Sequence, residues 1–231
     1  MKTFRSSTGP FAERVYYTSA DIEQTCKSSL QSVGLFPQSP EPIRIDRFIE
    51  KKFKVTPEYE DLGVGILGMA RFGKNGLQGI VVSERLDDGS TISERRVRST
   101  LAHEAGHGLL HGHLFALEAE GLLFGTEERQ RPNILCRDTP DNIDQNRYNG
   151  QWWEYQANRT IGGLLLPKDL VIEALKNVII PIGNLGGSWT LPENRQAILI
   201  ELSDLFDVNP VVAEIRCSEL FPKSGGQQLS L

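Results

Sequence analysis

The chain has 231 residues, of which 39% are hydrophobic and 24% are charged, as in ordinary globular domains. Its formal net charge of −5 argues against a general affinity for nucleic acid, and its three scattered cysteines indicate neither a disulfide framework nor a CxxC zinc motif. The N-terminus lacks the apolar core of a secretory signal, and no apolar run reaches the roughly 18–20 residues of a membrane-spanning helix. We therefore expect a soluble, cytoplasmic protein that has no membrane partner.

The first 53 residues predict an arm followed by two helices. Residues 1 to 17 show no periodicity and are predicted to form the arm. Thr18 and Asp21 have the spacing of a helix cap, and Gly34 is predicted to end the first helix. After a proline-rich connection, residues 42 to 53 predict the second helix.

Two strands are predicted over residues 64 to 72 and 76 to 83, and the turn residues at 73 to 76 predict that they form a hairpin. The second strand leads towards the histidine-containing helix described next. A strand beside a catalytic helix can offer an edge to an extended peptide. Plain sheet structure is the alternative, and the sequence does not choose between them.

All four histidines lie within residues 103 to 113, and the first two belong to the sequence HEAGH, an instance of HExxH. In a helix, residues four apart lie on one face, so His103 and His107 can direct two imidazole nitrogens to one point. Neutral imidazoles suit a borderline-soft divalent cation. Glu104 does not ligate in such motifs and can accept a proton from the attacking water.

The residues around this motif favour a helix. Thr91 and Glu94 have the spacing of a capping box, which places the N-terminus of the helix there. Apolar residues then recur at helical spacing, and Gly112 is predicted to end the helix.

A catalytic zinc site needs one more protein ligand and an open position for water. Glu154 and Asn158 are four apart on one predicted helical face. Glu154 can therefore ligate, while Asn158 accepts the outer N–H of a ligating histidine. A rival third ligand is His113, which follows His103 at the spacing of the metzincin motif HExxHxxGxxH. Leu110 stands where that motif has a glycine, which disfavours the rival.

Other polar residues near the motif are candidates for supporting roles. His111 lies one turn further along the ligand face and is expected to contact a ligand or to pack, rather than to bind the metal. A donor should also stabilise the oxyanion, and the sequence does not rank the candidates. These are Tyr148, Tyr155, His111 and His113.

Residues 126 to 150 are polar and too numerous for a simple connector, so they predict a lid, a substrate loop or a partly ordered insertion. Cys136 lies in this segment and is expected to be an ordinary loop or packing residue. The alternative is a thiolate that reaches the metal and blocks it.

Three segments of the sequence resemble the ImmA/IrrE-type metallo-endopeptidases. They are residues 80 to 83, residues 98 to 111, and residues 154 to 158 together with the following residues 164 to 167. The resemblance runs loosely from about residue 41 to about residue 220. It implies a zincin-like α+β fold, with His103 and His107 as ligands, Glu104 as the base and Glu154 as the third ligand.

The expected architecture is α+β, with a small antiparallel or mixed sheet packed on the HExxH helix and a mainly helical C-terminal part. Residues 1 to 40 form the arm and helix, 41 to 190 the zincin-like metallopeptidase domain, 191 to 222 a helix–turn–helix-like pair and 223 to 231 a flexible tail. The last helix offers Glu214, Arg216 and Glu219 instead of the basic and amide residues that read bases, which favours a structural pair over DNA binding.

The expected function is that of a zinc-dependent endopeptidase that cleaves one specific protein. Mn²⁺ or Fe²⁺ can occupy the same ligands. The family resemblance suggests a helix–turn–helix transcriptional repressor as the substrate, in a stress or mobile-element switch. The alternative is a non-catalytic zincin-fold module that binds a protein or DNA.

Overall fold

A computed structural model describes residues 2–5, 13–73, 75–114, 133–137, 151–181, 189–192 and 195–221. These residues form a mixed α+β fold, as the sequence predicted. Within the described part, no helix is both long and apolar enough to cross a lipid bilayer.

The helices are α1 (Ser19–Ser32), α2 (Ile45–Phe53), α3 (Thr91–Leu110), α4 (Trp152–Leu165), α5 (Lys168–Leu175), α6 (Gln196–Phe206) and α7 (Pro210–Leu220). The strands are β1 (Lys2–Arg5), β2 (Glu13–Tyr16), β3 (Glu58–Glu60), β4 (Ile66–Gly73), β5 (Gly76–Ser83), β6 (Asn133–Arg137), β7 (Ile180–Pro181) and β8 (Trp189–Thr190). A short 3₁₀ helix, Glu84–Leu86, connects β5 towards α3.

The central sheet has the strand order β3-β5-β4-β6, in which β3 runs parallel to β5 and the other neighbours are antiparallel. The predicted hairpin is confirmed: Ala70 of β4 pairs with Ile80 of β5, and Gly73 pairs with Gly76 at the turn. β4 is paired on both sides, with β5 and β6, and therefore does not offer the open edge that the sequence allowed for an extended peptide. β5 is paired with β3 over Val81–Ser83 only.

Helix α3 lies directly against β4 because a glycine of that strand faces it. A Cβ atom added at Gly68 would lie 2.5 Å from Thr100 Cγ2 and 2.9 Å from Glu104 Oε1. Only a residue without a side chain permits this approach. The close packing places Glu104 beneath the middle of the sheet.

The first helix follows its sequence signals closely. Thr18 caps α1, and the reciprocal hydrogen bonds of a capping box link it to Asp21, as predicted. Gly34 follows the helix with a φ of 68°, a left-handed conformation that glycine adopts without strain.

The bounds of α3 differ slightly from the prediction. The N-cap is Ser90, whose side chain accepts a hydrogen bond from the Ser93 amide, so Thr91 is the first helical residue. The predicted capping box with Thr91 as the cap is therefore wrong by one position. The helix ends at Leu110, two residues before Gly112.

Four further differences separate the structure from the predicted elements. The arm expected over residues 1 to 17 contains β1 and β2, which pair antiparallel and bury Val15. The second helix begins at Ile45 instead of residue 42. The segment expected as a loop over residues 126 to 150 contributes β6, which pairs with β4, and α5 was not predicted.

The C-terminal helix pair is confirmed as α6 and α7, and the predicted turn between them includes Asp207 with a φ of 51°. Arg216 is the sole basic residue of α7 and is buried. Its guanidinium contacts Glu23 at 2.5 Å, Glu219 at 3.3 Å and the Leu166 carbonyl at 2.9 Å. This cation is therefore not available to a DNA phosphate. The expected tail over residues 223 to 231 lies outside the described residues.

Helices α3 and α4 cross at Gly106, where an added Cβ would overlap Thr160 Oγ1 and lie 3.0 Å from Thr160 Cβ. We expect Gly106→Ala to lower the free energy of unfolding by about 1–3 kcal/mol, the usual effect of overpacking. Urea denaturation followed by circular dichroism measures this change.

Gly112→Ala is the matched control for that substitution, because its added Cβ would meet no atom closer than 3.8 Å. Combining Gly106→Ala with Thr160→Ala should recover part of the loss, since the hydroxyl causes the closest overlap. Strictly additive losses in the double variant would show that this contact does not limit the approach of the helices.

Candidate metal centre

Three side chains from two helices converge at one point. His103 and His107, one turn apart on α3, have their Nε2 atoms 3.0 Å from each other. Glu154 on α4 places Oε2 3.1 Å from His103 Nε2 and 3.5 Å from His107 Nε2. Both imidazoles are buried, and the carboxylate is mostly buried. Within the described ranges, these three residues form a cluster that can hold a metal ion.

The spacing of the three atoms suits a small divalent cation. Nitrogen and oxygen ligands about 2.0–2.1 Å from a tetrahedral zinc ion lie roughly 3.3 Å from one another. The observed separations of 3.0, 3.1 and 3.5 Å bracket that value. Two imidazoles and one carboxylate also match the ligand types of catalytic zinc sites, so the residues fit the ion.

The outer nitrogen of His103 is held by an amide. Its Nδ1 lies 2.9 Å from Asn158 Oδ1, the contact that the helical spacing suggested. With the proton on Nδ1 and donated to this oxygen, His103 Nε2 carries a bare lone pair. That lone pair points towards the Glu154 carboxylate, an arrangement that a cation between them would stabilise.

The ionisation of the ligands also suits metal binding. Burial lowers the pKa of His107, which favours the neutral imidazole. Burial alone would raise the pKa of Glu154, but the charge that His107 and His103 carry when protonated, together with their hydrogen bonds, holds it well below the usual range. A neutral imidazole and an ionised carboxylate are the forms that bind a metal ion.

Glu104 lies beside this cluster without joining it. Its side chain is completely buried, and neither carboxylate oxygen accepts a hydrogen bond from any group in the described part of the chain. Burial raises its pKa to about 8, and the nearby Glu154 also raises it, while the charge of His103 lowers it. The Ala70 amide has the smallest effect, a lowering, since it comes close to the carboxylate without the geometry of a hydrogen bond. A buried carboxyl group without a partner destabilises a fold.

Two of the remaining candidates lie where they cannot bind the same cation. His113 is exposed and does not belong to the cluster, whereas Glu154 does. His111 is buried, and its Nδ1 lies 3.0 Å from His107 Nδ1 while its Nε2 lies 2.9 Å from Gln156 Oε1. Because both ring nitrogens already have partners, His111 does not suit the stabilisation of a substrate oxyanion.

The structure describes the tyrosine and cysteine candidates only in part. The Tyr155 ring lies beside the Arg159 guanidinium, with 5.7 Å between that group and the ring centroid. Tyr148 lies outside the described residues, as does the side chain of Cys136. The backbone of Cys136 pairs with that of Gly68, the residue that packs on Glu104.

Two residues at the site were missed by sequence reasoning. Gly68 determines how closely β4 approaches Glu104, and its only signal was a glycine within a predicted strand. Gln156 is 4% exposed and joins His111 to the N-terminal hairpin. No local pattern indicates this link, since its two partners are 45 and 141 residues away in the chain.

Comparison of the chain with protein-family models and with curated proteins finds no match. Its function is therefore inferred from the geometry and chemistry of the cluster.

Proposed function

We propose that the protein is a zinc-dependent endopeptidase with a zincin-like fold, of the ImmA/IrrE type. The observation that carries this proposal is the pairing of two features: a His103–His107–Glu154 ligand set and, beside it, the buried Glu104 carboxylate that has no hydrogen-bond partner among the described residues. A purely structural metal site has no use for such a carboxylate. A hydrolase needs it as a base.

Each residue then has a distinct task. Zinc bound at the three ligands would polarise the scissile carbonyl and lower the pKa of water to about 7. Glu104 accepts a proton from the attacking water and delivers it to the leaving amine. Asn158 orients His103 through the 2.9 Å contact with its Nδ1.

The arrangement of elements supports the zincin-like interpretation. The β4–β5 hairpin precedes α3, which carries the HExxH motif, and α4 supplies the acidic ligand from the other side. These are also the segments on which the family resemblance depends.

We propose a specific protein substrate, with a helix–turn–helix repressor as the first candidate. The strand nearest Glu104 is β4, and both of its edges are paired, one with β5 and the other with β6. An extended segment of an arbitrary protein therefore cannot simply add to this strand. The outer strand on this side of the described sheet is β6, so the preference for a selected partner rests on the family resemblance.

Elemental analysis of the purified protein tests the metal site. We expect about one metal ion per chain in the wild type and little in Glu154→Ala, because removing one of three ligands abolishes tight binding. Glu173→Ala, an exposed glutamate of α5, is the matched control and should keep the metal. The same measurement distinguishes zinc from manganese and iron. An equal metal content in Glu154→Ala would contradict the ligand set.

Co-expression with a candidate repressor, followed by mass spectrometry, tests the reaction. We expect a single cleavage site that disappears with a chelator and with Glu154→Ala. A metal-loaded protein that leaves the repressor and other candidate partners intact would favour the non-catalytic binding module instead.

A further inference from the structure

A buried chain of polar groups runs from the N-terminal hairpin to one of the proposed ligands. The Gln156 amide donates from Nε2 to the Val15 carbonyl of β2 at 2.8 Å. Gln156 Oε1 lies 2.9 Å from His111 Nε2, and His111 Nδ1 lies 3.0 Å from His107 Nδ1. All four residues are buried, with exposed fractions of 4% or less.

The contact between Gln156 and the Val15 carbonyl determines the donor and acceptor of every other hydrogen bond in this series of polar groups. A carbonyl oxygen only accepts, so the Val15 contact fixes which end of the Gln156 amide faces His111. Because the amide oxygen faces His111 Nε2, that nitrogen must carry a proton; two acceptors facing each other in a buried place would be unfavourable. A neutral imidazole has one N–H, so His111 Nδ1 is an acceptor.

The final link places the proton of His107. Only one proton fits between the two Nδ1 atoms, and it must come from His107. His107 Nε2 is then left with a bare lone pair, 3.0 Å from His103 Nε2 and 3.5 Å from Glu154 Oε2. Reversing any bond in the chain would put a proton on the nitrogen that has to bind the metal.

We infer that Gln156 and His111 are positioning residues that hold His107 in its metal-binding tautomer, anchored by the Val15 carbonyl of the N-terminal hairpin. This inference rests on the proposed metal site and adds a role for residues outside the ligand set. It also gives β2 a function in the site, although β2 lies 141 residues before Gln156 in the chain.

Nitrogen-15 NMR of the metal-free wild type tests the tautomers directly, because the chain has only four histidines to assign. We expect His107 to carry its proton on Nδ1 and His111 on Nε2. A His107 ring without a proton on Nδ1, or a doubly protonated His111, would overturn the inference. An additional proton on His107 Nε2 would not, because without a cation it can bond to the facing His103 or Glu154 acceptor. This measurement needs no variant and no bound metal.

Gln156→Met keeps the size of the side chain and removes both hydrogen bonds. We expect mixed tautomers at His111 and His107 and a zinc affinity weaker by about 10- to 100-fold, as for other partners of metal ligands. Competition with a chromophoric chelator measures the affinity. Ser203→Ala is the matched control, since it removes a buried hydroxyl on α6 that donates to the Ile200 carbonyl and not to an imidazole, and it should retain the wild-type affinity within about 3-fold.

The two proposals fail in different ways. Unchanged zinc affinity and tautomers in Gln156→Met would overturn the positioning role and leave the endopeptidase proposal intact. Absence of zinc binding by the wild type would overturn the proposed function, while the NMR spectra would still decide the tautomers.

Discussion

Glu104→Gln is expected to reduce peptide-bond cleavage by about 10²- to 10⁴-fold and to leave the metal bound. The amide has the shape of the carboxylate but cannot accept the proton of the attacking water. Glu104 lies outside the cluster of ligand atoms, so its charge is not needed to hold the cation. The rate is measured as kcat/KM on the cleaved substrate, and the metal content by elemental analysis.

Glu94→Gln is the matched control for this prediction, because Glu94 is an exposed residue in the first turn of the same helix. It should cleave at the wild-type rate. Retained cleavage in Glu104→Gln would remove Glu104 as the base. Loss of the metal in Glu104→Gln would show instead that Glu104 supports the ligands.

The metal-free wild type is expected to lose stability, relative to Glu104→Gln, as the pH rises from about 4.5 to about 8. Burial raises the pKa of Glu104 from 4.5 to about 8 in the folded chain. Above pH 4.5 the unfolded chain releases this proton while the folded chain retains it. The stabilisation is therefore complete below pH 4.5 and is lost as the pH rises through 8. The difference should be on the order of 5 kcal/mol, at about 1.4 kcal/mol per pKa unit over the shift from 4.5 to about 8.

Urea denaturation of both proteins in a chelator, at several pH values between 5 and 8.5, measures this difference. Both proteins share His103, His107 and Glu154, so subtraction of the two curves isolates Glu104. Parallel curves would show that the Glu104 carboxyl group is not desolvated in the folded chain. Added zinc should narrow the difference, since a nearby cation favours the ionised carboxylate.

Much of the local structure followed from short patterns in the sequence. The Thr18–Asp21 capping box, the β4–β5 hairpin and the α6–α7 pair each depend on residues a few positions apart. The relation between His103 and His107 is of the same kind, because the helical repeat alone places residues four apart on one face. These features therefore required no knowledge of the tertiary structure.

Other features depended on segments that are distant in the chain. β6 and the β1–β2 hairpin lack a strong alternating pattern and form through pairing with other strands. The approach of Glu154 to His103 spans 51 residues, and residue spacing alone left His113 as a rival. Burial of Glu104 beneath Gly68 was likewise invisible in the sequence.

The sequence by itself determined the helix that carries HEAGH and the presence of a candidate acid, Glu154, on a second helix. Only the tertiary structure decided that this acid meets the two imidazoles, that Glu104 has no described hydrogen-bond partner, and that Gln156 links His111 to Val15. The reason is physical: the helical repeat specifies which residues share one face of a helix, whereas the packing of the whole chain decides which faces come into contact.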